Sequence, residues 1–200
     1  SRGKTVSKHD SVRLAERLTQ EARRRGLNVV FAWQRADARR ADDNARTLGK
    51  RRGVLPTPVH AAVLNAGVFG AATGSHKLQE ITKPMVEGVM QTNATGVMLG
   101  LQAFVRQLPA DADFSPAAVA IASIYGSSGS RFSHVAYQMS KGACKLAMKQ
   151  AAIELARPTE SAPRVRCNTV SPTFLRTNLT KQFFEDDGVR RIVQADTPTG

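Results

Sequence analysis

Short apolar runs that each stop at a polar or glycine-bearing turn, spaced far enough apart to leave room for helices, constrain this chain more than any other feature. Leu27-Asn28-Val29-Val30-Phe31-Ala32-Trp33 is the first such run. Ala61-Ala62-Val63-Leu64 is the second and closes on Asn65-Ala66-Gly67. Residues 117–123 form the third and lead into Ile124-Tyr125-Gly126; residues 165–170 form the fourth and end at Ser171-Pro172-Thr173. Runs of this length and composition read as buried strands. Helical spacing fills the intervals. Val12, Ala15, Leu18 and Ala22 follow Asp10, a good N-cap, and stop at Gly26. Residues 36–50 form a polar, alanine- and arginine-rich helix candidate, and 54–58 are irregular around Pro56 and Pro58. Val86, Met90, Val97, Leu101, Phe104 and Leu108 mark a long helix over 81–108, and 136–156 is a second. Strands alternating with helices predict a parallel sheet covered on both faces, with ligands in the crevice beyond the carboxyl ends of the strands.

The 200 residues fit one domain with enough chain for a sizeable core. The longest purely apolar stretch, 117–122, is far shorter than a membrane span, and Ser1-Arg2-Gly3-Lys4-Thr5 does not open into a secretory leader. Two cysteines, Cys144 and Cys167, make neither a disulfide framework nor a metal site, so a reducing, cytoplasmic setting is expected, with no metal. Lys and Arg number 29 and Asp and Glu 16, a net +13. Residues 1–60 hold 15 basic and 6 acidic side chains (+9), whereas 61–200 hold 14 and 10 (+4). That imbalance suits phosphate, on a nucleic acid or on a small molecule, and equally a solvated basic face. No nucleic-acid recognition motif accompanies it, so the charge alone does not make nucleic acid a partner.

Two features in the helical stretches carry chemistry. Tyr137 and Lys141 are four apart and share a helix face. A phenol with an ordinary pKa near 10 is a poor base, and a neighbouring ammonium is expected to lower it; such a phenol exchanges a proton with a carbonyl or alcohol oxygen. A surface pair of this spacing also arises by chance. Asn93 lies within the apolar stripe between Met90 and Val97. A buried carboxamide needs partners, either a neighbouring backbone or a locally opened helix in which it holds a water near Lys141.

Asn65-Ala66-Gly67, Asn93, Ser123, Tyr137-x-x-x-Lys141 and Asn168-x-Val170-Ser171-Pro172 occur in that order. Their order and spacing resemble the short-chain dehydrogenase/reductase (SDR) family, best over 61–177. The resemblance implies a Rossmann-type three-layer α/β fold, a parallel sheet flanked by helices and incomplete at the N- and C-termini, in a single domain over 1–200. Residues 1–60 are its atypical part and 178–195 its substrate loop. It implies hydride transfer between a nicotinamide cofactor and a small-molecule carbonyl or alcohol. Tyr137 would be the general acid/base, Lys141 its modulator and a ribose ligand, Ser123 the group orienting the substrate oxygen, and Asn93 the holder of a water. Asn65, Ala66 and Gly67 would lie beside the adenosine ribose, and Pro172, Thr173 and Thr177 against the nicotinamide. Residues 178–193 would be a mobile loop closing on substrate, its Leu179, Phe183 and Phe184 hinting at apolar contacts. Relatives often pair through the two long helices, implying a homodimer or homotetramer and no membrane.

The chain departs from the pattern in three places. The glycine-rich pyrophosphate turn is missing beyond Gly3, which reads as a fragment beginning inside that turn, with genuine loss of the site as the rival. Gly3-Lys4-Thr5 matches only the end of a P-loop. Thr173 replaces a glycine, and the sequence stops at Gly200 where relatives continue. Loss of both ends would expose sheet edge and core. Two registers fit residues 7–60. In the preferred one, 28–33 is the second strand and Arg35 falls just past it, where arginine suits the 2′-phosphate of NADP(H), with NAD(H) as the alternative cofactor. In the other, Asp10-Ser11-Val12 opens the helix before the Asn-Ala-Gly strand and 33–60 is inserted. A catalytically inactive remnant serving as a binding or assembly module is the alternative function.

Overall fold

The computed structural model describes residues 8–27, 36–48, 58–69, 77–130, 133–177 and 179–195. Helix α1 (Lys8–Arg24) is followed by α2 (Ala41–Leu48), strand β1 (Ala61–Leu64), helices α3 (Lys83–Met90) and α4 (Gly96–Gln107), β2 (Ala117–Ile121), α5 (Val135–Glu154), β3 (Arg166–Val170), α6 (Lys181–Glu185) and α7 (Asp187–Ala195). The strands form a parallel sheet in the order β1-β2-β3, with Ala62 opposite Ala118 and Ala118 opposite Cys167. The expected parallel sheet flanked by helices is therefore present.

The strand expected over 27–33 falls almost wholly outside the described residues, as does Arg35. The helix expected from Asp10 begins two residues earlier, at Lys8. Residues 36–40 are a turn instead of the start of a helix, because the Asp37 carboxylate accepts the Arg39 N–H at 3.0 Å while the Asp37 N–H is taken by Asp43 at 2.9 Å. Such local side-chain bonds compete with helix formation. The helix expected from 81 starts at Lys83, with Pro84 in its first turn, where a missing N–H costs nothing. Residues 179–195, within the segment expected as a substrate loop, contain α6 and α7. Val189, Ile192 and Val193 give α7 an apolar edge, and Val193 is buried.

Helix α4 packs on β1, α5 packs on β2 and β3, and the two helices touch each other, so they share one face. On that face Ala62, Ala118, Ala120 and Cys167 are buried against Val97, Phe104, Cys144 and Met148. Alanines on the sheet leave room for the large side chains of the helices. On the opposite face Val63 and Val170 are 68% and 51% exposed. Among the described residues the strands thus alternate between the face buried under α4 and α5 and a more exposed one.

Two polar ties hold the frame in register. The buried Gln107 carboxamide accepts the Val59 N–H at 2.7 Å and donates to the Val59 carbonyl at 3.0 Å, fixing the entry to β1. Beyond the strand ends, Ala122 N–H donates to Val170 O (2.8 Å) and Ile124 N–H to Pro172 O (3.2 Å). The turn after β2 and the turn after β3 are therefore joined side by side.

Candidate active site

The helix from Lys83 to Gln107 is interrupted by a π-helical turn, Gln91–Thr95, in which the Gly96 N–H reaches back to Gln91 O. Asn93 sits in that turn, fully buried. Its carboxamide accepts from Val68 N–H at 2.8 Å, donates to Val68 O at 2.8 Å and donates to Ser140 Oγ at 2.9 Å. It bonds a neighbouring backbone, as the first account has it, and its helix is locally widened. Widened turns of this kind occur most often at functional sites. The Ser140 hydroxyl passes the connection on to Tyr137 O at 2.7 Å.

Helix α5 carries Tyr137 and Lys141, both buried. Its N-cap is His134, whose Nδ1 accepts the Tyr137 N–H at 3.3 Å. Ser123 is in extended conformation at the end of β2 and caps the short turn Ile124–Gly126, accepting the Tyr125 N–H at 3.2 Å. This turn lies directly on the backbone of α5. A Cβ at Gly126 would come within 2.7 Å of Lys141 O, a distance only glycine avoids. Seated in this way, the Ser123 side chain lines the same cleft as Tyr137.

The electrostatics correct one expectation. Tyr137 was expected to be lowered by Lys141, but burial pushes its phenol above the ordinary value, and the Ser123 hydroxyl offsets only part of that. Lys141 turns its ammonium to Ile121 O at 2.7 Å, and its Nζ stands 5.9 Å from the centre of the Tyr137 ring. Burial lowers the Lys141 pKa, while Cys144 nearby favours the charged form. In this arrangement Tyr137 is a protonated phenol at neutral pH.

A cleft of about 310 Å³ gathers most of the expected residues: Asn65, Gly67, Ser123, Tyr137, Lys141, Pro172, Thr173 and Thr177 line it. Asn93 reaches its edge, since a Cβ on Gly67 would lie 3.5 Å from both Asn93 Oδ1 and Lys141 Nζ. Ala66 faces the next cavity instead, a more polar space of about 950 Å³ shared with Asp37, Arg39, Arg40, Asp43 and Arg46. Gly67 and Val68 border both spaces. Arg39 is fastened to Asp37 and Arg46 to Asp43, each at 2.6 Å. Arg39 holds the Asp37 carboxyl down to about 2.

The structure adds residues that the sequence did not single out. His134, Phe69 and Ser140 surround Tyr137, Gly126 lies on the backbone of Lys141, and Val68, Leu175 and Leu179 give the cleft an apolar wall. The segment holding Leu175 and Leu179 is internally bonded: Thr180 Oγ1 donates to Leu175 O, and Arg176 lies 5.1 Å from the Phe184 ring centre. The available signals were His134 three residues before Tyr137 and Ser140 three after it.

Among the described residues no group of His, Cys, Asp and Glu side chains is arranged to hold a metal ion, and no helix is long and apolar enough to cross a membrane. Both cysteines are free and buried.

The family profile described as short chain dehydrogenase matches residues 4–188. No curated protein matches the sequence. Among solved structures, a short-chain type dehydrogenase/reductase from Mycobacterium marinum superimposes with a TM-score of 0.70 at 25% identity, over 87% of this chain and 64% of its own. A gluconate 5-dehydrogenase from Burkholderia cenocepacia J2315, in complex with NADP and tartrate, gives a TM-score of 0.74 at 21% identity, over 98% of this chain and 69% of its own. A short chain dehydrogenase/reductase from Burkholderia phymatum, in complex with NAD, gives 0.62 at 21% identity, over 88% and 59%. The chain thus spans less than two thirds of the first of these and of the third.

Proposed function

We infer the reaction from kinship and geometry together: the chain belongs to the short-chain dehydrogenase family, and its reading is that of a nicotinamide-dependent oxidoreductase acting on a carbonyl/alcohol pair. The observation that carries this reading is the meeting of Ser123, from the turn after β2, with Tyr137 and Lys141, from α5, in one cleft at the carboxyl ends of the strands. The bare Cα of Gly67, with Asn93 Oδ1 and Lys141 Nζ around it, is the feature that fits a flat cofactor ring and ribose; a side chain there would fill the space. Asn65, Gly67, Lys141, Pro172, Thr173 and Thr177 would hold the nicotinamide end, with Ala66 beside the adenosine.

A bound reduced nicotinamide supplies the hydride. The chain's residues supply the proton and the alignment. Ser123 Oγ and the Tyr137 phenol both address the substrate oxygen, and the phenol gives up its proton as charge builds there. The raised pKa of Tyr137 keeps that proton in place at neutral pH. Lys141, whose Nζ has two N–H bonds beyond the one to Ile121 O, stabilises the phenolate left behind. Val68, Leu175 and Leu179 suit a neutral substrate with an apolar flank, since among the described residues lining the cleft Lys141 is the single charged side chain.

For the cofactor, three arginines against two aspartates in the adjoining cavity leave a small positive excess. NADP(H) is accordingly the proposed preference, with NAD(H) as the weaker ligand. For assembly, Met139, Leu146 and Ile153 repeat every seven residues along the outside of α5 and are 50%, 69% and 72% exposed. They are proposed to pair with a second copy. Leu146→Glu should then lower the sedimentation coefficient to that of a monomer, whereas an unchanged value removes this interface.

The reaction itself is tested by Tyr137→Phe. Turnover of ketones with NADPH should fall by about a thousandfold, with NADPH affinity within a few-fold of the parent. Undiminished turnover in that variant would end the assignment.

A further inference from the structure

We propose that His134 is a positioning residue for the reaction, an imidazole clamp that binds the loop after β1 to the first turn of α5 and so presses Phe69 against Tyr137. The proposal rests on the oxidoreductase reading for its catalytic consequence, but not for its structural one.

His134 uses both ring nitrogens. Nδ1 accepts the main-chain N–H of Tyr137 at 3.3 Å, so the hydrogen resides on Nε2, which stands 2.7 Å from Phe69 O. This tautomer is assigned by the bonding pattern. The side chain is 5% exposed, and the clamp spans sixty-five residues of sequence. The Phe69 ring then lies 4.7 Å from the Tyr137 ring at 42°, and 5.4 Å from the imidazole at 80°. One residue earlier, Asn93 grips both backbone groups of Val68. Two consecutive residues of the loop are therefore fastened, one to the π-helical turn and the other to α5.

Capping alone does not call for histidine. Ser, Thr, Asp and Asn are the ordinary N-caps, and each would satisfy the Tyr137 N–H. A short side chain bound to that N–H has no second donor placed to reach Phe69 O. The imidazole does both, and the outcome is an aromatic wall on the phenol carrying the reactive proton. Small displacements of a reacting group are costly to rate while leaving binding intact.

The test separates cap from clamp. The sequence has 2 tyrosines, so Tyr125→Phe leaves Tyr137 as the single phenol to follow by ultraviolet titration. In that background His134→Asn keeps a capping oxygen but removes the clamp. The phenol midpoint should fall toward the ordinary value as water enters past Phe69, with the thermal midpoint close to the parent's. In the otherwise native chain, His134→Asn should lower kcat about tenfold with KM for NADPH within twofold. Phe69→Leu should do the same, and the double variant should lose no more than either alone. An unchanged phenol midpoint in His134→Asn, or losses that multiply in the double variant, would overturn the clamp. If the chain turns over no ketone at all, the oxidoreductase reading falls, while the phenol titration still decides the role of His134.

Discussion

The rim of the sheet around Tyr137 and the basic N-terminal third are both rich in polar side chains, yet they use them in opposite ways. Around Tyr137 the polar groups are buried and bind partners far away in sequence: Asn93 to Val68 and Ser140, His134 to Phe69, Lys141 to Ile121. In α1, α2 and the turn between them the bonds are local and exposed: Arg25 to Glu21, Arg39 to Asp37, Arg46 to Asp43. A buried bond that loses one partner leaves the other desolvated and unpaired, whereas an exposed ion pair exchanges its partner for water. Geometry is therefore enforced at the rim and merely decorated in the N-terminal third.

That contrast can be attacked from its strong end first. Asn93→Leu strands the N–H and carbonyl of Val68 and the Ser140 hydroxyl, and should destabilise the chain by roughly 3 kcal/mol, measured by urea denaturation. A cost near zero would mean that the rim is no stiffer than the surface. Gly126→Ala drives a Cβ to 2.7 Å from Lys141 O, so the Ser123 turn must lift from α5. It should cost about 1–3 kcal/mol and depress kcat more than it raises KM; a silent substitution would show that the turn is free to shift.

The weak end of the contrast predicts almost nothing for Arg39→Ala. The denaturation midpoint should not move measurably, and the Asp37 carboxyl, followed by NMR, should climb from about 2 part of the way toward the usual aspartate range, the residue-39 N–H still bonding it. Because the folded value lies below that of a free aspartate, the stabilisation from this pair is present above about pH 4 and disappears as pH falls through 2. A large stability loss at neutral pH in Arg39→Ala would erase the distinction between the two regions.

The same contrast explains what could be read from the sequence. The three strands, the long helices and the meeting of Ser123, Tyr137 and Lys141 were legible because period, turn chemistry and order are one-dimensional properties. Asn93 stood out because a carboxamide in an apolar stripe demands a reason, and the π-helical turn supplies it. His134 did not stand out, since histidine is not an ordinary cap and its second bond is to a residue sixty-five positions away. The direction of the Tyr137 shift was also out of reach: proximity to Lys141 is visible as spacing, but burial, the larger influence, is not. Helix α7 was missed for a different reason. Its apolar spacing at 189, 192 and 193 is present, but a short helix thick with charge looks like a loop.

Hydride transfer is the claim on which the functional account depends, and isotope transfer tests it most directly. The chain should be given NADPH carrying deuterium at the transferable position of its nicotinamide together with an apolar ketone, and the alcohol product analysed by mass spectrometry. The account predicts deuterium on the carbinol carbon with the native chain and about a thousandfold less alcohol in the same time with Tyr137→Phe. Alcohol formed without the label, or labelled alcohol formed equally well by the variant, would contradict it.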